Sequence, residues 1–347
     1  MNQDLYIDKA RGMLVGLAVG DALGAPVEFG YSSSDIRELG GKISHYQDSV
    51  IGPAGTWTDD TSMALCLADS LINNRGYDSY DIMTRYWRWM TEGYRTPDDK
   101  PAADVGIQTR SALVDFTESP IIQNDAQKTN SAGNGAIMRL APIVLAGFNN
   151  QTEQSGIHKI LELARLSCRE THNSDMAVAV TEAFAAALFL TLKEPVTKSE
   201  ILEKCTHWFS SDSEEKNKCK LQIQDAIAGA IRLKDGSEFR DLDGYILDAF
   251  AIAIWGLMHS ESFEDGILKI IRLGGDTDTN AAIYGQLAGS FYGYSAIPKE
   301  WRDGIIRSKE LVSIADKLLD ISDCKILRTR FEDDEHFVAV SDITINQ

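Results

Sequence analysis

Residues 16–24 read Gly-Leu-Ala-Val-Gly-Asp-Ala-Leu-Gly, so a glycine recurs at every fourth position of an otherwise apolar run. Glycine weakens an isolated helix, and its repetition at helical spacing therefore needs a reason. Small side chains at this spacing let two helices approach closely. Residues 183–187 and 281–289 are similarly rich in alanine and glycine. We interpret the three runs as tightly packed helices.

Helical periodicity dominates the rest of the chain. Apolar side chains recur three and four positions apart on two further predicted faces, which contain Ile82, Met83, Tyr86, Trp89 and Met90, and Met63, Leu67, Leu71 and Ile72. This spacing is typical of amphipathic helices. Only residues 336–345 have the β-branched and aromatic content of a strand. The pattern predicts a mostly helical protein.

The chain shows no interdomain linker and no internal repeat. We predict one compact helical domain over residues 6–322, followed by a short acidic C-terminal extension over residues 323–347. Residues 176–190 form the most apolar stretch, which is shorter than the roughly 20 residues that cross a bilayer. We expect a buried core helix there and no membrane segment.

Composition restricts the classes of partner. The 347 residues carry a formal net charge of -18, which disfavours binding to nucleic acid or to an anionic membrane. The five cysteines are odd in number and form no Cys-x-x-Cys pair. This usage, and an N-terminus without the pattern of a signal peptide, predict reduced thiols in a cytoplasmic protein.

Two short segments concentrate acidic and hydroxyl side chains. Residues 55–61 read Gly-Thr-Trp-Thr-Asp-Asp-Thr, and residues 274–280 read Gly-Gly-Asp-Thr-Asp-Thr-Asn. Each precedes a helical run, so either segment alone is compatible with simple N-capping. A cap needs only one carboxylate, however, and hard oxygen ligands suit Mg²⁺ or Mn²⁺. A divalent cation would relieve the repulsion among four clustered aspartates.

Residues 130–142 form a Gly- and Asn-rich turn before a helix. Such a turn suits a phosphate, but local sequence alone favours an ordinary loop-to-helix junction with Arg139 in a salt bridge. His172 is a candidate for a hydrogen-bonded structural histidine or for a ligand contact. Trp57 and Tyr245 are candidates for stacking on a substrate or for the core.

Two further carboxylates have open interpretations. Asp104, before a helical run, is a candidate general base or a helix cap. Glu28, in an apolar segment, is a candidate buried proton-transfer group with a raised pKa or an exposed loop residue.

Together, these segments resemble the ADP-ribosylglycohydrolase family. The resemblance is carried, in family order, by residues 16–28, Thr-Trp-Thr-Asp-Asp-Thr (56–61), Asp-Val-Gly-Ile-Gln-Thr-Arg (104–110), Gly-Asn-Gly-Ala-Ile-Met-Arg (133–139), Thr-His (171–172), Gly-Gly-Asp-Thr-Asp-Thr-Asn-Ala-Ala (274–282) and Ile-Pro-x-x-Trp (297–301). The ordered set spans roughly residues 8–310.

The resemblance implies an all-α orthogonal bundle around two divalent metal ions, Mg²⁺ or Mn²⁺. By position, the metal ligands would be Thr58, Asp59, Asp60, Asp276, Asp278 and Thr279. Contacts to the ADP part would come from Ser131, Gly133, Asn134, Gly135, Arg139 and His172. The residues assigned to catalysis are Glu28 and Asp104, together with Asp60 and Asp276.

The implied activity is metal-dependent hydrolysis of the glycosidic bond at C1 of the distal ribose in an ADP-ribosylated target. A modified arginine side chain of a protein is the favoured substrate. The alternatives are a small ADP-ribose ester such as O-acetyl-ADP-ribose, or an immunity or binding protein whose partner is an ADP-ribosyltransferase toxin.

Overall fold

A computed structural model describes residues 3–122, 132–148, 153–193, 195–208, 213–234, 239 and 242–340. Fifteen α-helices and two short strands lie within these residues. In chain order they are α1 (Gln3–Gly24), α2 (Ser33–Leu39), α3 (Asp59–Asn74), β1 (Gly76–Asp78), α4 (Ser79–Glu92), α5 (Ile107–Glu118), α6 (Ala141–Gly147), α7 (Glu153–Arg169), α8 (Asp175–Leu192), α9 (Lys198–Lys204), α10 (Glu214–Arg232), α11 (Ile246–His259), α12 (Phe263–Ile271), α13 (Thr277–Tyr292), α14 (Lys299–Gly304), α15 (Ser308–Leu319) and β2 (Lys325–Arg328). The predicted all-α class is confirmed.

The glycines of residues 16–24 pack α1 against α13. A Cβ added to Gly16 would lie 2.2 Å from the carbonyl oxygen of Gly285, and one added to Gly20 would lie 2.1 Å from that of Ala281. The reciprocal clash holds at Gly285, where an added Cβ would lie 2.1 Å from the oxygen of Gly16. Backbone therefore touches backbone, and the predicted role of the small residues in helix packing is confirmed.

This close packing gives a stability prediction for Gly16→Ala. The new methyl group would have to displace the backbone of α13, so we expect a loss of about 3 kcal/mol or more in unfolding free energy, as for other overpacked cores. Gly229 in α10 is the matched control, because a Cβ there meets nothing within 4 Å. Gly229→Ala should add roughly 0.5–1 kcal/mol. Urea unfolding of both variants measures the difference, and equal stabilities would contradict the packing argument.

The remaining helices surround this central pair. The face predicted in α4 is buried, as are most residues of α8 and α11. By length and composition, residues 3–27 and 175–192 would suffice to cross a membrane, but most of each is buried in the helical body. This burial is what a core helix requires, and it agrees with the prediction for residues 176–190.

The two strands lie elsewhere than predicted. Lys325–Arg328 pairs in parallel with Gly76–Asp78. Residues 336–340 form no strand and contribute only an isolated bridge between Phe337 and Thr329, because the chain turns back at Phe331–Asp334. Residues 341–345 lie outside the described part of the chain.

Candidate metal centre

The first acidic segment is organised by Asp21 of α1. Its Oδ1 accepts a hydrogen bond from the Thr58 amide at 2.8 Å, and its Oδ2 accepts from the Thr61 amide and hydroxyl at 3.0 and 2.6 Å. Asp21 therefore fixes the start of α3. The carboxylate itself is fully buried.

Asp60 lies close to Asp21 and has a buried oxygen without a partner in the described part of the chain. Its Oδ2 accepts from the Thr58 hydroxyl at 3.0 Å, whereas its buried Oδ1 has no hydrogen-bond partner among the described residues. Thr58 occupies the N-cap position of α3, but its side chain makes no capping hydrogen bond. Simple capping therefore does not explain the segment.

The second acidic segment begins α13. Gly274 and Gly275 have φ of 81° and 73°, a left-handed backbone that turns the chain into the helix. Asp276 is the N-cap residue, again without a capping side-chain bond. The Thr277 hydroxyl donates to the carbonyl oxygen of Gly24 at 2.9 Å, and the start of α13 is thereby joined to the end of α1.

These contacts assemble two groups of carboxylates. Oxygens of Asp21, Asp60 and Asp278 lie within 4.8 Å of one another, and so do oxygens of Glu28, Asp276 and Asp278. Asp278 belongs to both groups. The close approach of α1 and α13 creates this arrangement, since Asp21 and Asp278 come from those two helices.

The donor set fits divalent cations. All five side chains offer hard carboxylate oxygens, four of them are buried, and no cationic side chain pairs with any of them among the described residues. Asp60 Oδ1, buried without a hydrogen-bond partner among the described residues, would be satisfied by a bound cation. Mg²⁺ and Mn²⁺ both suit such a site.

The carboxylates raise one another's pKa values. Burial and then the charges of Asp104 and Asp276 raise the pKa of Glu28 to about 7. Burial raises the pKa of Asp21 to about 6, although hydrogen bonds from Thr61 and Thr58 oppose the rise. Burial and then neighbouring carboxylates hold the pKa of Asp60 and of Asp278 well above the usual range. Without a cation, the clustered carboxylates of this centre therefore repel one another.

The other residues predicted for this centre lie around the two groups. Asp59 belongs to neither group, although burial and then the charges of Asp104 and Asp21 raise its pKa. The Thr279 amide donates to Asp278 Oδ1 at 2.8 Å. Asp104 is exposed before α5, whose N-cap residue is Gly106, so the capping interpretation of Asp104 is wrong.

The Gly- and Asn-rich loop borders the second carboxylate group. Asn134 Nδ2 donates to Asp276 Oδ2 at 2.7 Å. The Asn134 amide donates to the carbonyl oxygen of Gly244 at 2.9 Å, and the Gly133 amide to Gln108 Oε1 at 3.3 Å. These two amides hold the loop in place and are not free for a phosphate. A ligand spanning loop and carboxylates would contact both.

Arg139 lies beneath this loop, fully buried. Its Nη1 donates to the carbonyl oxygen of Gly135 at 2.6 Å, and its Nη2 donates to the Thr171 hydroxyl at 2.5 Å. Its guanidinium also lies over the ring of Tyr86, 4.9 Å from the centroid. Arg139 thus supports the loop from the interior, and the expected salt bridge of Arg139 is absent among the described residues.

His172 also packs against this loop. A Cβ on Gly135 would lie 2.7 Å from the His172 ring, so the loop passes directly over the imidazole. His172 Nδ1 is 2.7 Å from the Thr171 hydroxyl. Burial and then the charge of Arg139 lower the pKa of His172 to about 3, which keeps the ring neutral.

Three predicted or suspected contacts have plainer outcomes. Ser131 lies outside the described residues. Trp57 is fully buried, so its stacking on a substrate is wrong and its place in the core is confirmed. Tyr245 is exposed beside the loop, and its backbone lies opposite Gly133 in a bridge formed by the Asn134 and Ile246 amides, which donate to the carbonyl oxygens of Gly244 and Ala132.

Asp21 is the functional candidate that the sequence analysis missed. Its signal was a lone carboxylate within the apolar, glycine-rich run of residues 16–24.

Comparison with known proteins gives a consistent family. The ADP-ribosylglycohydrolase family model matches residues 1–325. The chain is 32% identical over 321 residues to the ADP-ribosylarginine hydrolase Tri1 of Pseudomonas putida, an alignment that covers 90% of this chain and 78% of that protein. It is 28% identical to the ADP-ribosyl-[dinitrogen reductase] glycohydrolase of Rhodospirillum rubrum, over 85% of this chain and 89% of the relative.

A solved structure is similar as well. A chain described as an ADP-ribosylglycohydrolase-related protein complex superposes with a TM-score of 0.72 and 33% identity, covering 92% of this chain and 99% of its own.

Proposed function

Because this chain belongs to the ADP-ribosylglycohydrolase family, we propose that it removes ADP-ribose from modified arginine side chains of proteins, using two divalent metal ions. The observation that carries the proposal is the pair of carboxylate groups that share Asp278, joined to the Gly133–Gly135 loop by the Asn134–Asp276 hydrogen bond. A ligand with a sugar and a pyrophosphate would span these two features.

The metal ions would be held by the described carboxylates. Asp21, Asp60 and Asp278 would bind one ion, and Glu28, Asp276 and Asp278 the other. When bound, such ions stabilise developing negative charge and lower the pKa of a coordinated water. Thr58, Asp59 and Thr279 would complete the set of ligands, as the family resemblance implies.

The chain's own residues would carry substrate orientation and proton transfer. Asn134 fixes the Asp276 carboxylate by donating to Oδ2, so that this group keeps one orientation when a substrate enters. Glu28, half-buried beside Asp276 and Asp278, would accept a proton from the attacking water through a carboxylate oxygen. Asp104 is the second candidate for that role, because it is exposed at the rim.

Arginine is the favoured acceptor for an electrostatic reason. The leaving group of a modified arginine is a guanidinium, which binds carboxylates through paired hydrogen bonds. Asp104 is exposed near the centre, and the chain as a whole carries a formal charge of -18. Both features attract a cationic leaving group more than the hydroxyl of a serine. The name of the Pseudomonas putida relative agrees with this choice.

The test is release of ADP-ribose from proteins modified on arginine or on serine, and from O-acetyl-ADP-ribose. Each reaction is run with Mg²⁺, with Mn²⁺ and with chelator. We expect release from arginine that disappears on chelation. Release from the ester alone would replace the proposed substrate, and bound metal without release from any substrate would overturn the hydrolase assignment to these substrates.

We also propose that the physiological counterpart is an ADP-ribosyltransferase whose action the chain reverses. The acceptors in that case are cytoplasmic proteins. Protection from such a transferase that survives complete loss of hydrolysis would indicate blocking by binding instead.

A further inference from the structure

The segment that follows the last helix contacts Glu170, which directly precedes two of the residues that hold the Gly133–Gly135 loop. We call residues 325–340 the C-terminal strap. The family model ends at residue 325, where the strap begins. The strap nevertheless contains three consecutive buried side chains, Thr329, Arg330 and Phe331. Such burial in a terminal segment indicates a specific attachment.

Arg330 makes that attachment through Glu170. Arg330 Nε donates to Glu170 Oε2 at 2.6 Å, and Nη2 donates to the backbone oxygen of Glu170 at 2.8 Å. The other carboxylate oxygen, Oε1, accepts hydrogen bonds from the hydroxyls of Tyr77, at 2.7 Å, and Ser79. A buried, bidentate contact of this kind fixes both the side chain and the backbone of its partner.

Neighbouring residues of the strap reinforce the same end of α7. Asp333 accepts two hydrogen bonds from Arg169 Nη2, at 2.7 and 3.0 Å. The Arg169 guanidinium lies over the ring of Phe331, 4.3 Å from its centroid. The Ile122 amide also donates to the Arg330 carbonyl oxygen at 2.8 Å, which ties the strap to the end of the α5 region. The acidic run of the extension therefore has a structural role at Asp333.

The residues that follow Glu170 lead directly to the candidate site. Thr171 accepts from Arg139, which holds the Gly135 carbonyl oxygen, and His172 lies under Gly133 and Gly135. A displacement of Glu170 would move these contacts, because Thr171 and His172 are its next neighbours in the chain. The path from Arg330 to the loop contains no solvent-exposed step, since Arg330, Glu170, Thr171, His172 and Arg139 are all buried.

We propose that Arg330 and Glu170 are positioning residues for the ADP part of the substrate, acting through Thr171, His172 and Arg139 on the Gly133–Gly135 loop. This rests on the proposed function. The loop binds the part of the substrate that does not react, so it contributes equally to the ground state and the transition state. Loss of its position should therefore raise KM and leave kcat nearly unchanged.

The test compares Arg330→Met with Arg11→Met. Arg11 is the control, because its guanidinium pairs with Asp316 through two hydrogen bonds, at 2.7 and 2.8 Å, outside the Glu170 network. Arg330→Met should weaken ADP-ribose binding and raise KM by about tenfold, as expected for loss of hydrogen bonds to a charged group. Arg11→Met should leave both constants unchanged. Calorimetric titration with ADP-ribose gives Kd, and initial rates on the modified protein give KM and kcat.

Conservative variants keep the test decisive. Arg330→Lys and Glu170→Gln retain most of the buried volume, and Glu170→Gln should reproduce the rise in Kd if Arg330→Met does not fold. A folded Arg330→Met or Glu170→Gln variant with the parental Kd and KM would overturn the proposal. If the parent protein binds free ADP-ribose but releases none from modified proteins, only the proposed function is overturned, because the comparison of Kd values still holds. A parent that neither binds nor releases ADP-ribose would overturn both.

Discussion

Asp60→Asn and Asp276→Asn variants are expected to release ADP-ribose from modified arginine at least about 10³-fold more slowly than the parent, since metal ions supply several kcal/mol of stabilisation in such reactions. Each variant removes one charge from a different carboxylate group, while the amide keeps the volume of the side chain. The rate is measured as single-turnover release at saturating Mn²⁺. Unfolding curves verify that both variants are folded.

Asp69→Asn is the control for this comparison. Asp69 lies in α3 with Asp60 and is also buried, but its carboxylate pairs with Arg95 Nε at 2.5 Å rather than with other acids. Its substitution should leave the rate of release unchanged. Parental rates for Asp60→Asn and Asp276→Asn, or an equal loss for Asp69→Asn, would contradict the assignment of the two groups to catalysis.

Asp21 and Asp59 allow a sharper distinction between sequence and structure. The family resemblance places Asp59 among the ligands, whereas the structure places Asp21 in a group with Asp60 and Asp278. Asp21 was missed because its importance depends on the contact between α1 and α13, which joins residues more than 250 positions apart. Local sequence shows only a carboxylate in an apolar helix, and nothing there indicates a second acid opposite it.

The fold was predictable where local pattern and packing coincide. The glycines of residues 16–24 are needed because backbone meets backbone at Gly285 and Ala281, so their spacing predicts a close helix contact, although not that α13 is the partner. The apolar face of α4 was readable for the same reason. The short strand Lys325–Arg328 was not predictable. Only one of its four residues is buried, and its partner strand is only three residues long.

The sequence predicted which residues form the candidate site better than it predicted the contacts of their side chains. The two acidic segments precede helices α3 and α13 as expected, but local sequence allowed capping, and only the geometry shows that Thr58 and Asp276 make no capping bond. Arg139 gives the same lesson. Local sequence favours a salt bridge for it, and the family resemblance implies a ligand contact, yet its side chain points into the core, where it meets Gly135 and Thr171.

In chelator, Asp60→Asn is expected to be more stable than the parent. Without a cation, Asp60 Oδ1 is buried without a partner beside Asp21 and Asp278. Asparagine removes the charge, and its amide group can donate to a neighbouring carboxylate while its oxygen still accepts from the Thr58 hydroxyl. We expect a gain of about 1–3 kcal/mol, which is the cost of a buried polar group without a hydrogen-bond partner. Thermal unfolding in chelator measures it.

Added metal should reverse this order. A ligand that binds only the folded state at 100 times its Kd stabilises it by about 2.7 kcal/mol, so Mg²⁺ or Mn²⁺ should raise the Tm of the parent and have a smaller effect on Asp60→Asn. Asp69→Asn is again the control and should shift in the opposite direction in chelator. It loses about 1–3 kcal/mol because the partly buried Arg95 then keeps an ion pair only with Glu310. If Asp60→Asn instead destabilises the protein in chelator as Asp69→Asn does, the carboxylates of this centre are held by compensating contacts and not by a missing cation. Opposite signs for these two buried aspartates of a single helix would show that the fold tolerates repulsion at Asp60 because binding a cation there is its function.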